Sequence, residues 1–365
     1  MKLVSPILKQ IVYPCLAGTG FLRWLAGSGL AVVTYHGVLP QGYEPFDAGF
    51  DGNLVSGEML QRQLRLLKAN YSVVSPEEVL LWCQGRRELP PRAVLLTCDD
   101  GLLNNLTEML PILQEEGLSC LFFVTGASAG TERRSLWYEE LFLILHRAPT
   151  GQYAVSCPGF EMAAELAGRA QRRTVWWDWV KQLSLVDAET RRSFVCAARP
   201  QLGVENPEKP MEGNDSPRCR RFNLLTADEL ARLVSAGMTI GAHTMSHPIL
   251  SQSPPELARA EIAESRAALE SVLGKQIWAL AYPFGDAASV NSDVLAMTQE
   301  AGYAAAFVNF GGGLGSQLPR YAIPRVHVTA EMRLSEFEAH VAGFHAAMQR
   351  RAGQVGWKKL APGAG

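Results

Sequence analysis

Nowhere in the 365 residues do two cysteines stand in a CxxC spacing. The seven present, Cys15, Cys83, Cys98, Cys120, Cys157, Cys196 and Cys219, form an odd set. That argues against a disulfide framework and for a reducing compartment. An excess of one charge is also missing: 34 basic against 36 acidic residues leave a net −2, which removes the electrostatic case for nucleic-acid binding. No internal repeat occurs. A clean apolar run of the roughly 20 residues needed to span a bilayer is lacking too, because the stretch from Ile7 to Leu30 is broken by Lys9, Gln10, Pro14, Gly18, Gly20, Arg23 and Gly27. That stretch reads as a packed or peripheral amphipathic helix with Leu8, Ile11, Val12, Leu16, Phe21 and Trp24 facing inward, a membrane anchor being the alternative. No small-residue cleavage site follows it, so a secretory signal is not expected. The expectation is a cytoplasmic protein, at the inner face of the membrane if this segment makes peripheral contact.

What is present is apolar and regular. Hydrophobic residues make up 47% and charged residues 19%, enough for a well-buried core. The length suits one large α/β domain plus an insertion. Near-continuous apolar strands are expected at 30–35, 93–98, 119–124, 238–242, 278–281, 303–308 and 321–328. They alternate with amphipathic helices, among them 58–70, one opened by the Ser75-Pro76-Glu77-Glu78 cap, 254–273 closed by Gly274, and a closing helix over 332–348. Strand, helix, strand with buried strands means parallel βαβ units, and about seven of them suggest an irregular (β/α) barrel. The pattern breaks between 127 and 223, where amphipathic helical pieces carry Trp137, Tyr138, Trp176, Trp177 and Trp179. A Pro/Gly/Glu/Asn-rich run follows at 205–218. The expected organisation is an N-terminal helical segment (1–29), a first barrel part (30–126), a helical insertion (127–223), a second barrel part (224–348) and a tail (349–365). The insertion's aromatics suit packing of its own small core better than stacking on sugar rings.

Three remote segments carry chemistry. Thr97-Cys98-Asp99-Asp100-Gly101 ends a buried strand with two adjacent carboxylates. His243-Thr244-Met245-Ser246-His247 follows another strand and holds two imidazoles four apart, which on a helical turn share one face. Tyr282-Pro283-Phe284-Gly285 is a tight turn able to present a backbone N–H. Two imidazoles and one carboxylate suit zinc or a similar divalent ion, and the second carboxylate is left to act as a base for water. In barrels of this kind such residues sit at the C-terminal strand ends.

TCDDG, HTMSH and AYPFG, in this order on an α/β frame, resemble the polysaccharide (chitooligosaccharide) deacetylases, carbohydrate esterase family four, over roughly residues 32–328 outside the insertion. The resemblance implies an irregular (β/α)7 barrel and metal-dependent removal of N-acetyl groups from N-acetylhexosamine residues of a polysaccharide or oligosaccharide. It implies Asp99 as base, Asp100, His243 and His247 as metal ligands with Zn2+ as the expected ion, and the N–H of Phe284 as an oxyanion donor. Two departures stand out. Cys98 replaces a phenylalanine, and Ala281 replaces an arginine that holds the base. The second variant resembles the subgroup acting on exopolysaccharides, and Arg325 in Ile323-Pro324-Arg325-Val326-His327 is the candidate to supply the missing charge. His327 is the candidate acid for the leaving amine, with His36 as its competitor. Asp286 suits capping the next helix, and His146, His340 and His345 are given no role. Within hydrolysis the rivals are an O-acetyl esterase and an amino-sugar-lipid deformylase. Outside it, the rival is a catalytically silent carbohydrate-binding protein of polysaccharide export.

Overall fold

The computed structural model describes residues 7–25, 29–47, 50–204, 216–315 and 318–351. The polar run at 205–215 and the tail beyond 351 lie outside them. Ten strands occur among the described residues: β1 Leu30–Tyr35, β2 Ser72–Val74, β3 Ala93–Cys98, β4 Leu121–Val124, β5 Gly151–Cys157, β6 Phe160–Leu166, β7 Thr239–Ala242, β8 Ala279–Ala281, β9 Ala305–Val308 and β10 Ile323–His327. Seven close into a parallel barrel in the order β1-β10-β9-β8-β7-β4-β3, sealed where β3 pairs back onto β1. The fold is therefore the (β/α)7 barrel that the alternation predicts. β2 escapes that reading because it is only three residues long and half-buried. It lies beside the first half of β3, pairing Ser72 with Ala93, and β4 takes over at Thr97 and Cys98.

Side chains alternate across each strand, and the two parities separate cleanly. Val33, Leu96, Phe122 and Leu280 join the packing between strands and surrounding helices. Val32, Leu95, Phe123, Phe307 and Ile323 form a second cluster, which fills the barrel. Continued upward, the inward parity passes through Thr34, Thr97 and Arg325 to Asp99, His36, His243 and His327. The lower barrel is thus apolar filling, and the polar chemistry is confined to the C-terminal strand ends.

The insertion between β4 and β7 corrects the expectation of helices alone. Helices Trp137–Arg147, Arg169–Leu183, Ala188–Gln201 and Pro217–Phe222 are joined by an antiparallel hairpin, β5–β6, turning at Pro158-Gly159. Gly159 takes φ +76°, a turn conformation that glycine adopts without strain. Leu141, Val155, Leu166, Trp179 and Phe194 form a core of its own.

The N-terminal helices Tyr13–Gly18 and Phe21–Leu25 bury Tyr13 and Leu22 completely. Tyr13 meets His345 Nδ1 at 2.7 Å, and Lys9–Glu336 and Arg23–Glu338 pair at 3.0 and 2.8 Å. The expected inward face is wrong in part: Ile11 is 58% and Trp24 79% exposed, and Phe21 is exposed as well. For Phe21 and Trp24 the cause is a break at Thr19-Gly20, where Gly20 takes φ +71° and resets the helical phase; Ile11 lies upstream, in a π-helical turn over Leu8–Val12. Among the described residues no helix is long and apolar enough to cross a membrane. The closing helix is also split, into Leu334–Val341 and Phe344–Arg351, at Gly343 with φ +80°.

Candidate active site

The two aspartates part company at the end of β3. Asp99 continues the ladder, its N–H donating to the Tyr35 carbonyl at 2.9 Å, and so keeps the inward parity. Asp100 would point away, but its φ of +76° turns the chain and brings its carboxylate back over the barrel mouth. Gly101 must follow: its φ is +72°, and a Cβ there would meet Val124 Cγ1 at 2.8 Å.

Arg325 on β10 crosses the barrel and clamps Asp99 with two contacts of 2.6 Å, Nη1 to Oδ1 and Nη2 to Oδ2. Its other donors go to Thr34 Oγ1 at 3.0 Å and the Val308 carbonyl at 3.3 Å. Burial pushes the Asp99 carboxyl up, but Arg325 and then His243 outweigh it and hold it below the usual carboxylate range. Asp99 is thus paired with a cation from β10, while Ala281 on β8 offers it none. The neighbouring Cys98 is buried and its thiol is pushed well up by burial, so it is a packing residue and not a thiolate nucleophile.

Asp100, His243 and His247 are all buried and come together. Asp100 Oδ1 lies 3.5 Å from His243 Nε2 and 3.4 Å from His247 Nε2, and the three donor atoms fall within 4.8 Å of one another. His243 Nδ1–H donates to the Ala281 carbonyl at 2.7 Å. That bond fixes the tautomer and leaves Nε2 with a lone pair on the side of Asp100. One carboxylate and two imidazoles, buried and converging, fit a divalent cation of the zinc type.

The histidine segment is not a helical turn, contrary to the spacing. It is an irregular loop in which Thr244 and His247 both take φ +61°, and Thr244 Oγ1 accepts from the His247 N–H at 3.0 Å. Outside elements hold it. The Trp137 indole N–H donates to the Ser246 carbonyl at 2.9 Å and reaches that of His247 at 3.3 Å. Arg191 Nη1 donates to Ser246 Oγ at 2.7 Å, and Glu261 accepts from the Ser246 N–H at 2.7 Å. Tyr138 and Phe284 flank the His247 ring at centroid distances of 4.8 and 4.9 Å. Sequence reasoning gave Trp137 and Tyr138 to the insertion's core and did not single out Arg191 or Glu261. No spacing marks them, because they act from other elements.

Phe284 takes φ +60°, and the Gly285 N–H closes on the Pro283 carbonyl at 2.6 Å. That tight turn leaves the Phe284 N–H without a protein acceptor among the described residues. Asp286 accepts from the N–H groups of Ala288 and Ser289 at 3.0 and 2.8 Å, a local capping arrangement. His36 and His327 stand side by side with ring centroids 4.9 Å apart, and His36 Nδ1 and His327 Nε2 are buried without hydrogen-bond partners among the described residues. Burial, then the adjacent His36, push His327 down to about 3, so it is neutral at rest.

A family model described as polysaccharide deacetylase matches residues 86–163 and 201–306, which include Asp99, Asp100, His243, His247 and Phe284 but stop short of Arg325 and His327. YxkH of Bacillus subtilis, provisionally named a polysaccharide deacetylase, is 26% identical over 117 residues. That match covers 32% of this chain and 41% of the relative's length. The fold is similar to that of the Streptococcus pyogenes deacetylase PplD (TM-score 0.53, 16% identity, 86% of this chain and 99% of that one). It is also similar to that of IcaB from Ammonifex degensii (TM-score 0.52, 18% identity, 87% and 98%).

Proposed function

The chain belongs to the polysaccharide deacetylase family, and from that premise we propose that it removes N-acetyl groups from N-acetylhexosamine residues of a saccharide chain. One observation carries the reading: Asp100, His243 and His247 converge, while the adjacent Asp99 is bound by Arg325 and not by the histidines.

A divalent cation held by Asp100, His243 and His247, Zn2+ by the chemistry of the donors, supplies Lewis acidity toward water and an acetamido carbonyl. Asp99 takes the water proton, with Arg325 keeping it ionised and fixing both its oxygens. The Phe284 N–H donates to the carbonyl oxygen as charge develops there. The C–N bond breaks and the amine leaves with a proton from His327; that ring is neutral at rest, so the proton it passes on is the one Asp99 has taken from water, which returns Asp99 to its ionised form. Acetate and a free amino sugar result. Ala281 together with Arg325 supports assignment to the exopolysaccharide-type branch.

Metal stoichiometry and acetate release from N-acetylglucosamine oligomers test the reading together. Asp99→Asn should retain metal and lose about 10²–10⁴ in kcat, the usual worth of a general base. His243→Ala should lose the metal, and full stoichiometry in that variant would refute the ligand set. Release of formate, or of acetate from O-acetylated sugars only, would redirect the substrate assignment.

A further inference from the structure

The insertion carries a groove of about 620 Å³, within the range of about 300–1,000 Å³ typical of ligand sites. It runs between the segment leading into helix Trp137–Arg147 and the helix Ala188–Gln201. Trp137 and Ser246 both line it. Because the Trp137 indole holds the Ser246 and His247 carbonyls, one wall of the groove is the back of the histidine loop.

Its charge is lopsided in a chain that is otherwise nearly balanced: five arginines and two glutamates line it, with no lysine and no aspartate. Two of the arginines are engaged inward. Arg133 grips Glu229 with both Nη atoms at 2.6 and 2.9 Å, and Arg191 donates to the Leu183 and Val186 carbonyls and to Ser246. Of the remaining three, Arg134 and Arg192 are the exposed ones. Arg192 is exposed and forms no ion pair among the described residues. Arg134 reaches Glu132 only at 3.5 Å, with both side chains well exposed, so solvent screens the contact. Arg199, seven residues beyond Arg192 on the same helix face, pairs with Glu140. An all-guanidinium lining favours planar, bidentate recognition of carboxylate or phosphate over a diffuse positive field.

We propose that this groove binds an anionic group carried by the acetylated glycan, a uronate carboxylate or a phosphate, so that the substrate is an acidic saccharide and not a neutral chitin-like chain. The inference rests on the deacetylase reading for what the anion is attached to. A ligand seated there touches Ser246 and Trp137, and hence the loop that carries two of the proposed metal ligands.

The test is calorimetric binding to the intact chain of three probes: a hyaluronan tetrasaccharide, a phosphorylated N-acetylglucosamine oligomer and neutral chitotetraose. At least one acidic probe should bind about tenfold or more tightly than the neutral one, weaken with salt, and lose that advantage in R134Q/R192Q. The two acidic arms identify which anion is read. Thermal unfolding of the variant at the wild-type temperature guards against misfolding. Equal binding of all three probes, or an undiminished preference in the variant, overturns the proposal. Acetate release by the wild type from the acidic probes is scored separately. Its absence alongside intact acidic binding counts against the deacetylase reading, and equal release from chitotetraose without an acidic binding preference counts against the groove.

Discussion

A carboxylate 2% exposed that remains ionised needs a partner of fixed geometry, and Arg325 is that partner. The pKa of Asp99 is depressed in the fold, so the stability it contributes is present above the ordinary carboxylate range of about 4 and lost as pH falls through its lowered folded value. Arg325→Ala strands a buried charge, which typically costs about 3–5 kcal/mol. It should also move the acidic limb of the kcat/KM profile to higher pH, because Asp99 then protonates more readily. A limb that stayed in place would show that Arg325 is structural only. Arg325 was legible in the sequence because the β10 pattern sets 323, 325 and 327 on one face while Ala281 leaves the base without its usual cation. The turn at Asp100 was not, since a positive φ at a non-glycine residue leaves no mark on composition.

The histidine loop shows where spacing misleads. A separation of four identified the pair but suggested a helix, whereas Thr244 and His247 in left-handed conformations do the work of bringing Nε2 of each ring to Asp100. Such a loop depends on its supports. Trp137→Phe keeps the ring and removes the donor to the Ser246 and His247 carbonyls. Loss of a support around metal ligands typically costs about 10–100-fold in affinity, so metal affinity measured by competition with a chelator should fall by that order at little cost in thermal stability. Unaltered affinity would mean that the indole bond is incidental. The β5–β6 hairpin was missed for another reason. Its alternation is mostly solvent-facing and its strands contain little β-branched sequence, so Pro158-Gly159 was the one usable cue.

Across the whole molecule, buried ion pairs tie the insertion to the barrel. Arg221, 1% exposed, bonds Asp51 at 2.8 Å and Glu139 at 3.0 Å. It thereby joins the loop after β1 to helices Trp137–Arg147 and Pro217–Phe222. Two carboxylates share one guanidinium, and Glu139 is pushed up to about 7, by burial first and with Asp100 adding to the rise. A raised folded value means stability that is fully present below the ordinary carboxylate range and is lost as pH rises toward 7. Metal-free Glu139→Gln should therefore gain melting temperature relative to wild type as pH goes from 5 to 8, and a parallel pH dependence of the two proteins would sink that account. At the same scale, we propose that the exposed Ile7, Ile11, Phe21 and Trp24 of the N-terminal segment make peripheral membrane contact. Trp24→Ala should reduce co-sedimentation with anionic vesicles, and equal recovery would argue against it. Barrel closure carries one more consequence. β1 is seated between β3 and β10, so β1 waits for a strand made almost 300 residues later. A chain arrested during synthesis before β10 has an open seam and an Asp99 with no cation across from it, and competence is therefore withheld until β10 has been made.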